Sequence, residues 1–169
     1  LDGWTTGPTP TAWQLSNGVL LASANAFLGR DLKLPAQSRV EFELGAANQL
    51  QCYVSLYTDA TERFNFISSG YQFVLGLGYV SLMRGQGQFG MQHLGQAQIP
   101  IALPGKKLRV EIRSDLVAGT LALLVDGNLI QQWNDPNALK VAEPNLPATL
   151  PPTVADVVRE AARARGPCV

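Results

Sequence analysis

The chain has 169 residues, 46% hydrophobic and 15% charged, enough for one globular domain with its own core and a tail. Thirteen basic and thirteen acidic side chains cancel, which removes the electrostatic footprint of a protein that grips nucleic-acid phosphates. Apolar runs reach only about five residues, as in "LALLV", against the ~20 that a helix needs to span a bilayer.

The chain opens at Leu1 with no methionine and no basic segment leading into an apolar stretch, as expected of a matured product or a piece of a longer chain. Trp13–Leu15 and Val19–Ser23 are short strand candidates joined by Ser16–Gly18, where Asn-Gly supplies the positive φ angles of a tight hairpin. Phe27–Leu32 is a third. In "SRVEFELG", Val40, Phe42 and Leu44 alternate with Arg39, Glu41 and Glu43, so one face meets a core and the other meets water. Leu50–Thr58 carries Leu50, Cys52, Val54 and Leu56 on one parity and Gln51, Tyr53, Ser55 and Tyr57 on the other. Gly70–Leu75 and Tyr79–Arg84 follow.

Next comes "RGQGQFGMQHLGQ", in which Gly85, Gly87 and Gly90 spell G-x-G-x-x-G. A dinucleotide site needs those glycines between a strand and a helix whose N-terminus faces the pyrophosphate. Here "MQHLGQAQIPIALPG" follows, with a glycine, two prolines and no helical apolar face. The segment therefore reads as a glutamine- and glycine-rich loop between strands, carrying the single histidine, His93. Beyond it "LRVEIRS" alternates Leu108, Val110 and Ile112 with Arg109, Glu111 and Arg113. Thr120–Val125 and Leu129–Trp133 close the series around a second hairpin turn, Asp126–Asn128. About ten short strands with turn signals between them imply an all-β antiparallel sandwich.

Composition changes after Asp135. Ala138–Glu143 is the one candidate for a closing strand, giving a domain over 1–143. Residues 144–152 are a proline-rich connector. Within 153–169, Val154, Val157, Val158, Ala161 and Ala162 fall on one helical face, with Thr153 and Asp156 as a capping signal and Gly166-Pro167 as the stop. A helix of a dozen residues is marginal alone and is expected to dock on the sandwich or on a partner.

Chemistry-bearing residues are sparse. Cys52 and Cys168 are too few for a disulfide scaffold and have no metal spacing, and Cys52 should point into the core as a small hydrophobe. One histidine cannot form a histidine-rich metal cluster, and no G-x-S-x-G elbow accompanies it. The loop carboxylates Asp59, Glu62 and Asp115 are oxygen donors of the kind calcium takes, but no motif supports such a site, so no cofactor is assigned. Glu41 and Glu43 share one strand face at a spacing that fits a retaining glycosidase. The competing account pairs them with Arg109 and its neighbours in a cross-strand charge ladder, and that account is favoured. No catalytic residue is assigned. The best candidate ligand face is Tyr53, Ser55 and Tyr57, aromatics interleaved with a small polar residue. Arg84, Gln92 and His93 of the glycine segment are expected as its polar neighbours.

The segments "GWTTGPTPTAWQLSNGVLLA", "RVEFEL", "VSLYTD", "SSGYQFVLG", "LRVEIRSDLVAGTLALLVDG" and "LIQQW" resemble concanavalin A-like jelly rolls. The likeness is closest to laminin-G-like domains and the related 3-keto-glycoside-hydrolase-like domains of large bacterial envelope proteins. It covers roughly residues 3–135. The resemblance implies two curved antiparallel sheets and an exported module, periplasmic, cell-surface or extracellular, joined to other domains. It supplies no catalytic residues, because the E-x-D-x-x-E signature of jelly-roll glucanases is absent. These motifs specify fold better than chemistry. The expected function is a non-catalytic module that binds carbohydrate or protein through a sheet face and adjacent loops. The alternatives are an assembly subunit, self-associating or contacting other chains through edge strands and the C-terminal helix, and a carbohydrate-active enzyme.

Overall fold

The computed structural model describes residues 3–7, 12–23, 26–30, 32, 34–46, 51–58, 67, 69–76, 78–87, 90–100 and 106–138. The connector at 144–152, the helix at 153–169, Cys168 and all but the first residue of the candidate closing strand lie outside them.

Among the described residues the protein is all-β. Its strands are β1 (Thr5–Thr6), β2 (Trp13–Ser16), β3 (Val19–Ala22), β4 (Leu28–Gly29), β5 (Gln37–Gly45), β6 (Gln51–Leu56), β7 (Tyr71–Gly76), β8 (Tyr79–Gly85), β9 (Met91–Gln98), β10 (Lys107–Asp115), β11 (Thr120–Val125) and β12 (Asn128–Asn134). A back sheet runs β12-β11-β10-β5 and a front sheet runs β6-β7-β8-β9, each with antiparallel neighbours. Two small hairpin-like pairs, β1-β4 and β2-β3, stand outside them. No helix among the described residues is long and apolar enough to cross a membrane.

The two sheets form a sandwich because alternate residues bury. On the back sheet Leu108, Val110 and Ile112 of β10 and Leu121, Leu123 and Val125 of β11 are almost wholly buried. Phe73, Leu75, Val80 and Leu82 answer them from the front sheet. Each such side chain contributes roughly 1.5–3 kcal/mol by leaving water. Phe73 meets Trp133 of β12 edge-on, with ring centroids 5.9 Å apart and planes at 76°, the arrangement that the aromatic quadrupole favours. Both anticipated hairpin turns form. Asn17 and Gly18 have φ of 50° and 76°, Asp126 and Gly127 of 50° and 81°, the two positive values that match strand twist.

Two sequence expectations change. The glycine- and glutamine-rich segment is no loop, since Met91–Gln98 forms β9, paired with β8. Glutamine and glycine have little intrinsic strand preference, so pairing with β8 and contact with the core decide the matter. Second, Phe27–Leu32 shrinks to the two-residue β4, paired with β1. Outside the two sheets, the β2-β3 hairpin half-buries Trp13 and Leu20 and leaves its other apolar residues open. Leu15 is 69% exposed, and Val19 and Leu21 are also exposed.

One glycine fixes how β9 lies. Register slips between Leu82 and Met83, so that Leu94 is an extra residue opposite β8, a β-bulge. Beside it Gly95 has φ of 154°, and a Cβ there would sit 2.9 Å from Trp133 Nε1. Only glycine lets β9 pass under the indole ring.

Candidate functional site

The outer face of the front sheet is built from rows of paired residues. One row runs Gln51–Gly76–Tyr79–Gln98, the next Tyr53–Val74–Ser81–Gln96, the third Ser55–Gln72–Met83–His93. The side chains follow from parity, since their neighbours Val54, Phe73, Leu75, Val80 and Leu82 pack inward. Gln72 is only 1% exposed, and its amide donates to Ser55 Oγ at 3.2 Å, so the third row is covered at Gln72 and opens again at His93. The first two rows are open. Gln51, Gln96 and Gln98 are exposed, and Tyr53, Tyr79, Ser81 and Val74 are half-buried. Gln51 Nε2 donates to Tyr53 Oη at 2.9 Å. Two tyrosines thus flank a floor of Val74 and Gly76, with amides on both margins.

The candidate residues divide. Tyr53, Ser55 and His93 reach this face, His93 exposed on β9 opposite Met83. Tyr57 does not. With φ of 58° it breaks the extended run just after β6, and its ring turns inward to 5% exposure. Its hydroxyl donates to Pro35 O at 2.9 Å and meets Ser114 Oγ at 2.6 Å and Ser38 Oγ at 2.7 Å. It ties the front sheet to the back.

Arg84 and Gln92 also differ from the expectation that they border the tyrosine face. They share the inward parity of Tyr71 and Phe73, at the rim of the sandwich. Arg84 Nη1 pairs with Asp135 Oδ1 at 2.5 Å and Nη2 donates to Gln92 Oε1 at 2.6 Å. Tyr71 Oη donates to Asp135 Oδ2 at 2.8 Å, and the Asn137 N–H donates to Oδ1 at 2.9 Å. Burial at 2% exposure pushes the Asp135 carboxyl up, but the bonds from Tyr71, Asn137 and Arg84 outweigh it and hold the group below its ordinary value. Tyr71 is raised by its own burial and by that carboxylate. This cluster is a second tie between the sheets.

The fold is similar to that of a carbohydrate binding module. The solved structure is the carbohydrate binding module CBM66 from Bacillus subtilis, with a TM-score of 0.58 at 13% sequence identity, covering 79% of this chain and 80% of that one. The likeness to CBM66 lies in the β-sandwich, because at that identity it carries fold alone. No protein-family model matches the chain, and no curated protein matches it.

The outer face of the back sheet carries the charges. Glu41 stands directly opposite Glu111, and Arg39 opposite Arg113, pairings that would repel. Diagonal contacts resolve this. Arg39 meets Glu111 at 2.9 Å and Glu41 at 2.7 Å, Arg109 pairs with Glu41, Arg113 with Glu111, and Lys107 with Glu43 at 3.1 Å. The Arg109 hydrogen bond holds Glu41 below the usual glutamate range, as Arg113 does for Glu111. A glycosidase acid needs the opposite, a carboxyl raised enough to keep its proton. The ladder is therefore the account that fits Glu41 and Glu43.

Cys52 packs against the core as expected, and burial pushes its thiol up. Asp115 accepts from Ala118 N–H and from Gln37 Nε2, both at 2.8 Å, while Asp59 and Glu62 lie outside the described residues. The described residues place no group of three or more His, Cys, Asp or Glu to hold a metal ion. Tyr79, Ser81, Gln96 and Gln98 line this face beyond the candidates named from sequence. Parity along Tyr79–Arg84 was enough to find the first two. The glutamines were hidden because their segment does not look like a strand.

Proposed function

We propose that the protein is a non-catalytic carbohydrate-binding module that holds its ligand on the outer face of the front sheet. The observation that carries this reading is the paired Tyr53 and Tyr79 flanking Val74 and Gly76, with Gln51, Ser81, Gln96 and Gln98 around them. Tyrosine rings offer an apolar surface for the C–H face of a sugar and a hydroxyl at its edge. Amide and hydroxyl groups both donate and accept, as sugar hydroxyls do. The similar fold of CBM66, a carbohydrate binding module, supports the reading. So does the concanavalin A-like resemblance, which also implies export to a compartment where polysaccharides are met. Pull-down on insoluble polysaccharides with Tyr53→Ala and Tyr79→Ala tests it. Loss of binding in both variants is expected, and binding equal to the parent would remove this face from consideration.

A second reading, assembly with another protein, is favoured by the exposed Leu15, Val19 and Leu21 on the β2-β3 hairpin. Light scattering distinguishes it, since replacing these residues with serine would dissociate an oligomer built through them.

A further inference from the structure

We infer, building on the carbohydrate-binding reading above, that the front face selects uncharged glycan chains and engages at least two sugar units without ion pairing. Among the described residues, no outward position on β6, β7, β8 or β9 is Asp, Glu, Lys or Arg. Arg84 is the cation of these strands, and it points the other way. Both its amino groups are engaged, one by Asp135 and one by Gln92, and its side chain is only 17% exposed. A uronate or sulfate laid on this surface would lose hydration without meeting a positive partner, an uncompensated cost. A neutral sugar has no such cost, and its hydroxyls find the amides of Gln51, Gln96 and Gln98 and the hydroxyl of Ser81.

The spacing sets the ligand's length. Tyr53 and Tyr79 lie two strands apart and one row offset, which at ~4.8 Å between strands and ~3.4 Å per residue separates their backbones by roughly 12 Å. A single sugar ring cannot stack on both tyrosines. A chain of two or more can, crossing Val74 and Gly76, the position where the lack of a side chain admits close approach.

The test is affinity electrophoresis of the whole chain in gels containing soluble neutral polysaccharides, polyuronates or sulfated polysaccharides, at low salt and at ~1 M salt. Retention by a neutral polymer, changing by less than about twofold with salt, is expected. So is the absence of retention by either anionic class. Gln96→Lys should create retention by polyuronate that is strong at low salt and gone at ~1 M, because it places a cation opposite Ser81 and diagonal to Tyr79. Salt-sensitive retention of the unaltered protein by an anionic polymer would overturn the selection for uncharged chains while leaving carbohydrate binding intact. Retention by a neutral polymer with no gain in Gln96→Lys would overturn the placement of the ligand across β9. Retention by no polymer of any class would overturn the carbohydrate-binding reading itself.

Discussion

The two outer faces of this sandwich are made by the same alternation and have opposite chemistry. On the back sheet, outward positions of β5 and β10 are Arg, Glu and Lys, tied to one another in a diagonal lattice. On the front sheet they are Tyr, Gln, Ser, Val, Gly, Met and His. A lattice of satisfied ion pairs keeps a surface hydrated while adding little to stability where its members stand in water. A neutral face of aromatic and amide groups is easier to dehydrate, since no charge must leave water. The contrast separates a face built to stay wet from one suited to be covered by a polar, uncharged ligand.

The largest expected effect lies where the two sheets are tied together. Asp135→Ala leaves Arg84 and Tyr71 without their shared carboxylate and should cost about 3–5 kcal/mol in chemical denaturation. Gly95→Ala comes next. Its methyl would meet the Trp133 indole at 2.9 Å, and a destabilisation of about 1–3 kcal/mol with altered tryptophan fluorescence is expected. Should Gly95→Ala prove neutral, β9 does not pass beneath that ring.

The faces themselves are compared by ligand binding. Tyr53→Ala and Tyr79→Ala should each weaken glycan binding roughly tenfold, as for a central aromatic contact. Arg109→Gln, on the other face, should leave binding unchanged. Equal losses from both sets would erase the distinction drawn here.

Acid should act on the ion pairs of the back sheet and on the Asp135 tie. Glu41, Glu111 and Asp135 have lowered values in the folded protein, against ordinary ones of 4.5, 4.5 and 3.8. Their contribution is therefore complete above those ordinary values and is lost as pH falls through the lowered ones. Stability followed by denaturation should be level from neutrality to about pH 5 and fall below about pH 4. A decline already present between pH 7 and 5 would need another titrating group. The smallest effect belongs to Glu43→Gln, which breaks a pair whose partners are both more than half exposed. It should shift stability by no more than about 0.5 kcal/mol.

The strongest strands were legible because their patterns are local. "SRVEFELG" and "LRVEIRS" announce alternation in themselves, and pairing them as a ladder needed only the charges. β9 was illegible for the converse reason, since "MQHLGQAQ" has few β-formers and its bulge breaks the period of two. The candidate site was half legible. Tyr53 and Ser55 reach the expected face by parity, and His93 reaches it through the pairing of β9 with β8. Tyr57 misses it because its own left-handed backbone ends the alternation, and Arg84 misses it because it shares the inward parity of Val80 and Leu82. The exposed hairpin residues Leu15, Val19 and Leu21 show another limit, since alternation says which residues share a face and not whether anything covers it.

By itself, the sequence determined the β class, the Asn-Gly and Asp-Gly turns, and which residues on the long strands share a side, all consequences of neighbours in the chain. Tertiary structure alone decided that β9 forms, that Tyr57 and Arg84 serve as ties between sheets, and that Tyr53 and Tyr79 flank one floor. Those outcomes depend on pairing and packing between segments distant in sequence, and no local pattern encodes them.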